Sequence, residues 1–158
     1  MKNSNIIGLN EVASQAITEK LQVLLANYSI FYQNTRGAHW NIKGDQFFTL
    51  HPKFEELYNN LVLKIDEIAE RILTLGGTPN HNYSVYLKLS TIKESNEVTD
   101  GTVCVENILG SFKVLIALQR ELLDLTDEAG DAGTNSQMSD YITEQEKEAW
   151  MYSAYLGK

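Results

Sequence analysis

His39, His51, Glu55, Asp66 and Glu70 are the side chains whose types and spacing could hold a transition metal. Imidazole and carboxylate together suit iron and its first-row neighbours. Cys104 is the one cysteine, so neither an internal disulfide nor a thiolate cluster can form. His51 and Glu55 stand four residues apart, as do Asp66 and Glu70, so each pair shares one side of a helix. At 3.6 residues per turn all four fall within an arc of about 100°. Yet 15 residues separate His51 from Asp66, roughly 22 Å along a helix axis. One ion cannot touch both pairs within one chain. Two copies packed antiparallel about a two-fold axis would bring His51/Glu55 of one to Asp66/Glu70 of the other, twice per dimer, with His39 on the His51 side. The same spacing also describes solvated helix pairs, with Asp66 and Glu70 as surface carboxylates beside Lys64 and Arg71. On that reading His39 is a half-buried histidine beside Trp40, and His81 faces solvent between Asn80 and Asn82. Trp40 and Tyr58 read as core aromatics.

The elements that must position these groups are helical. Ile17, Leu21, Leu24, Tyr28 and Phe31 recur at three- and four-residue steps, which predicts a helix from about Asn10 to Trp40. Asn41-Ile42-Lys43-Gly44 breaks it, and Asp45 is the expected N-cap of a second helix. That helix carries Phe54, Leu57, Leu61, Ile65, Ile68, Ile72 and Leu75, and stops at Gly76-Gly77-Thr78-Pro79. A third runs from about Thr102 to near Asp127, Gly130-Asp131-Ala132-Gly133-Thr134 turns the chain, and Met138 to Leu156 marks a fourth. Tyr83 to Leu89 reads as a short helical segment, with a strand as the alternative. Short loops make helices one and two, and three and four, antiparallel neighbours. The stretch from Gly76 to Gly101 is long enough to cross the bundle. One long crossover in an all-α four-helix bundle is the ferritin-like topology. Its usual in-bundle metal site needs Glu-x-x-His, and Arg36, Phe48 and Thr78 stand three residues before the three histidines. No His-Glu-x-x-His occurs either.

The chain has 158 residues, 43% apolar and 22% charged, the balance of a single globular domain over 1–158. No uninterrupted apolar run suits a bilayer, and the N-terminus has no basic-then-apolar signal pattern, so the expected address is cytoplasmic. Basic residues total 13 against 21 acidic, for a formal charge of −8. The excess is local: 9 basic face 8 acidic residues up to Lys93, and 4 face 13 from Glu94 onward. Such a field attracts cations and repels nucleic-acid phosphates, and no Lys/Arg cluster or basic tail offsets it.

The segment His39-Trp40-Asn41-Ile42-Lys43-Gly44-Asp45-Gln46-Phe47-Phe48-Thr49-Leu50-His51 closely resembles the signature of the Dps family, the mini-ferritins of bacteria and archaea. Phe54-Glu55-Glu56-Leu57-Tyr58, Asp66-Glu67-Ile68-Ala69-Glu70-Arg71-Ile72 and Glu146-Lys147-Glu148-Ala149-Trp150-Met151 extend the resemblance over essentially the whole chain. It implies a hollow homo-dodecamer that oxidises Fe(II), preferably with hydrogen peroxide, and stores ferric mineral, so protecting against oxidative damage. It also implies ferroxidase ligands from two subunits: His39, His51 and Glu55 of one, Asp66 and Glu70 of its partner. The family usually has Asp where this chain has Glu55, so the second iron position should shift or weaken. Acidic three-fold pores are implied near Asp127 and Asp131, although Ala132 and Ser136 replace acids common in the family; exposed loop acids are the alternative, and Asp140 is a further candidate. DNA compaction, the activity that names the family, is disfavoured by the acidic charge.

Overall fold

The computed structural model describes residues 4–158. Five helices follow one another: α1 (Glu11–Asn41), α2 (Phe47–Thr74), α3 (Tyr83–Leu89), α4 (Gly101–Ala129) and α5 (Ala132–Tyr155). Among the described residues there is no strand beyond an isolated bridge between Ser4 and Asn10. The four long helices form an all-α, ferritin-like bundle, α1 beside α2 and α4, and α4 beside α5. The short α3 rides in the crossover and packs on α1, as the helical reading of Tyr83 to Leu89 expected.

Local chemistry sets most helix ends. The side chains of Asn10, Asp100 and Asp131 each accept a backbone N–H of the first turn, capping α1, α4 and α5. Gly130 (φ 69°) takes the left-handed conformation that ends α4 and lets α5 begin two residues later. Asp45 does not cap α2, contrary to expectation. Gly44 at φ 98° starts a turn closed by the Phe47 N–H on the Gly44 carbonyl. The helix start moves to Gln46, whose side chain makes no capping bond.

The core lies along the bundle axis, with Ile17, Leu24 and Phe31 of α1 against Phe54, Leu61 and Ile68 of α2 and Phe112, Leu115 and Leu122 of α4, all fully buried. Phe31 meets Phe112 edge-on at 5.3 Å. By length and composition α4 could span a membrane, a feature the sequence pattern missed; here its apolar stripe lines the bundle interior. At mid-height the core is polar: the Tyr28 hydroxyl donates to Gln119 Oε1 (2.6 Å), Gln119 Nε2 to Gln145 Oε1 (2.9 Å), and Gln145 Nε2 back to the Tyr28 oxygen (2.5 Å). Three amides on α1 hold the crossover. Gln22 bonds Thr78 and Asn80, Asn34 bonds Lys93 and Ser95, and the buried Asn27 Oδ1 receives the N–H groups of Thr91 and Ile92 and the Ser90 hydroxyl.

Candidate metal centre

α1 and α2 bring two of the five expected ligands together. The rings of His39 and His51 stack 3.8 Å apart, 16° from parallel. The contact is reciprocal. His39 Nδ1 lies 2.7 Å from the main-chain oxygen of His51, and His51 Nδ1 lies 2.7 Å from that of His39. A carbonyl only accepts, so each Nδ1 carries a proton, and the tautomer this selects has its lone pair on Nε2. Two imidazoles fixed by main-chain carbonyls are set up as metal ligands. The backbone explains why His51 finds this partner. Near the end of α1 the His39 carbonyl would accept from Lys43, but the Lys43 N–H is given to Thr99. His51 takes up an oxygen that the helix end leaves open.

Aromatic rings hold the pair from outside. Tyr58 meets His39 edge-on at 5.3 Å, and Phe47 stacks on His51 at 4.7 Å. Tyr58 is half-buried rather than core. Trp40, read from sequence as core, is 56% exposed: it points outward beside the end of α1, with the Arg36 guanidinium 4.7 Å over its ring. His81 is exposed, as expected.

Glu55, Asp66 and Glu70 are exposed along α2, and among the described residues none of them forms an ion pair. The neighbouring cations are engaged elsewhere. Lys64, 5% exposed, donates to Asn60 (2.8 Å) and Glu144 (2.7 Å). Arg71 reaches Asp131 (2.6 Å) and Thr134 (2.7 Å). With Glu67 accepting the Tyr141 hydroxyl, the stripe Asn60, Lys64, Glu67 and Arg71 joins α2 to α5. That stripe sits about 140° around α2 from the His51/Glu55/Asp66/Glu70 face. The carboxylates are therefore left without a cationic partner on the face of α2 that also bears His51. Within one chain, no three His, Cys, Asp or Glu side chains among the described residues gather closely enough to hold an ion.

Asp131 is not a free pore acid. It is 2% exposed, caps α5 and is neutralised by Arg71. A Cβ at Gly133 would come within 2.9 Å of the Arg71 guanidinium, so this glycine in the first turn of α5 leaves room for that pairing. Asp127 and Asp140 do remain exposed. Cys104 is buried, and burial pushes its thiol up to about 11, so it stays protonated and inert. The Arg71–Asp131 clamp and the Asn60/Lys64/Glu67 stripe escaped the sequence reading. Their signal was present as a polar repeat at three- and four-residue steps on α2.

Residues 18–158 match the ferritin-like domain family. A "DNA protection during starvation protein" from Porphyromonas gingivalis is 40% identical over 97% of this chain and 96% of its own length. A crystal structure of the Dps protein from Vibrio cholerae O1, described as a member of the ferritin-like diiron-carboxylate superfamily, superposes with a TM-score of 0.96 at 52% identity, covering 97% of this chain and 96% of that one. The Dps protein of Bacillus brevis superposes with a TM-score of 0.88 at 33% identity, over 92% and 97% of the two chains. Bundle, crossover and sequence agree: the chain belongs to the Dps family of ferritin-like proteins.

Proposed function

We propose that this protein is a ferroxidase and iron store whose oxidation sites form between subunits. One observation carries the reading. His39 and His51 pin each other's Nδ1 on main-chain carbonyls, and their Nε2 atoms belong to a chain that assembles no metal cluster alone among its described residues. His39, His51 and Glu55 of one subunit with Asp66 and Glu70 of a two-fold partner would hold Fe(II) as substrate. Carboxylate-rich, ligand-poor sites favour iron and leave room for the oxidant. The oxidant we assign is hydrogen peroxide. Two ferrous ions each give one electron, and one peroxide takes both with two protons to become two waters, releasing no hydroxyl radical. Twelve subunits enclosing a cavity would hold the ferric product, in the cytoplasm. The name of the Porphyromonas gingivalis relative raises DNA protection. Removing ferrous iron and peroxide protects DNA without touching it, and the −8 charge opposes contact.

Mixing two inactive variants tests the shared site. His51→Ala and Asp66→Ala assemblies should each lose rapid iron oxidation, because every site lacks a ligand. Co-assembled at random, about half the dimers are mixed, and each mixed dimer has one intact site of two. Roughly a quarter of the wild-type rate should return. A site within one chain would give no recovery at any mixing ratio.

A further inference from the structure

His51 is oriented by an oxygen at the end of α1, so whatever stops α1 there belongs to the making of the site. Were the helix to continue, the Lys43 N–H would return to the His39 carbonyl. Instead the chain leaves the helical conformation at Ile42 (φ −56°, ψ 140°), and the Lys43 N–H donates to the Thr99 carbonyl at 3.0 Å. Thr99 lies at the far end of the crossover, just before α4. It is held on both sides. Glu97 Oε1 accepts the Thr99 N–H (2.6 Å) and the Thr99 hydroxyl (2.5 Å), and bonds to an ionised carboxylate are of the strong, charge-assisted kind. Val98 between them packs against the core, and Asp100 caps α4 by accepting the Val103 N–H (2.9 Å). α4 then begins against the start of α2, where a Cβ at Gly101 would collide with the Gln46 amide and the Leu50 side chain. Glu97 is exposed, and among the described residues its side-chain hydrogen bonds reach Thr99 alone. It can act on the histidines only through the main chain.

Resting on the ferroxidase reading above, we infer that Glu97 and Thr99 are positioning residues for the histidine pair. Glu97 fixes Thr99, and the Thr99 carbonyl takes the Lys43 N–H and stops α1. The turn between α1 and α2 is thereby set. α2 starts where the His51 ring meets the His39 carbonyl, which leaves Nε2 for the metal. The crossover reaches the centre without supplying a ligand. Once Glu97 lets go, the Lys43 N–H is free to return to His39, α1 runs on, and the turn that aims His51 shifts with it. The effect falls on His51 first. Its acceptor is an oxygen at a helix end, whereas the oxygen that holds His39 lies inside α2.

Solid-state nitrogen NMR of metal-free protein carrying isotope-labelled histidine reads this directly, because ring nitrogens with and without a proton are distinct. In the wild type His39 and His51 should both carry the proton on Nδ1, with the exposed His81 as reference. Glu97→Ala should move His51 toward the Nε2-protonated form. It should also slow iron oxidation about ten-fold, the lower end of what losing an orienting partner costs. Glu97→Gln keeps an accepting oxygen and should restore both readouts. An unchanged His51 in Glu97→Ala overturns the inference, and so does a Glu97→Gln variant no better than Ala. If Glu97→Ala fails to fold, Thr99→Val, which loses only the hydroxyl bond, should shift His51 and Thr99→Ser should not; equal spectra overturn the inference equally. A His51 shift with undiminished iron oxidation would leave the positioning role standing and count against the ferroxidase reading instead.

Discussion

A histidine binds a metal only through a ring nitrogen with a free lone pair, so the partner of the other nitrogen decides its use. The sequence marked His39 and His51 as candidates but could not show that each ring would be tied to the other's carbonyl. That contact depends on how α1 ends and where the Lys43 N–H goes, which spacing does not encode. Asp131 teaches the same lesson in reverse. The family resemblance suggested a pore acid, yet the Arg71 side chain claims it. Replacing Asp131 with Ala removes the α5 cap and leaves Arg71 unpaired, a loss of about 3 kcal/mol. Asp131→Asn keeps an acceptor for the Thr134 N–H and should lose about 1 kcal/mol. Thermal denaturation should rank the midpoints wild type, then Asn, then Ala. Equal midpoints for wild type and Ala would remove the structural role of this aspartate.

The faces of α2 divide the work of the helix. Leu50, Phe54, Leu61 and Ile68 pack the core, Asn60, Lys64, Glu67 and Arg71 attach the helix to α5, and the far side displays the candidate ligands. Hydrophobic periodicity made the core face legible, and it located the first three long helices to within a few residues; α5 starts at Ala132, six residues before Met138, because Asp131 caps it inside what read as a turn. The ends were read less well. Asp45 looked like a cap because its type fits, but the Gly44 turn shifted the start of the helix. The amides that hold the crossover were also invisible, since Asn27 on an otherwise apolar stripe carries no periodic signal. Its Oδ1 accepts from Thr91, Ile92 and Ser90 in a buried site. Asn27→Ala should strand those donors and destabilise the protein by about 2–3 kcal/mol. Amide hydrogen exchange would show it as faster exchange at Thr91 and Ile92, with α4 little changed. Unaltered protection at both amides would mean that the crossover is held by its apolar contacts.

Charge becomes a property of the particle once subunits assemble. Under the proposed assembly, a shell of twelve would multiply the −8 of each chain, and such a surface would release no counterions from phosphate. Light scattering should give a mass near twelve times the 17.8 kDa subunit, and the same particle should leave duplex DNA unshifted at physiological salt. A stable monomer would contradict storage, and a metal-independent shift would contradict the electrostatic argument. The polar triangle of Tyr28, Gln119 and Gln145 has a consequence at this scale too. Every member of that ring gives one hydrogen bond to another, no carboxylate enters it, and all three are almost wholly buried. The centre of the bundle is chemically silent, a neutral plug with no vacancy for a cation. Under the shared-site reading, a newly made chain would fold in iron-rich surroundings without becoming a redox catalyst. On that reading catalysis is switched on by meeting a second copy, so oxidation starts only where the walls of a container are already being built.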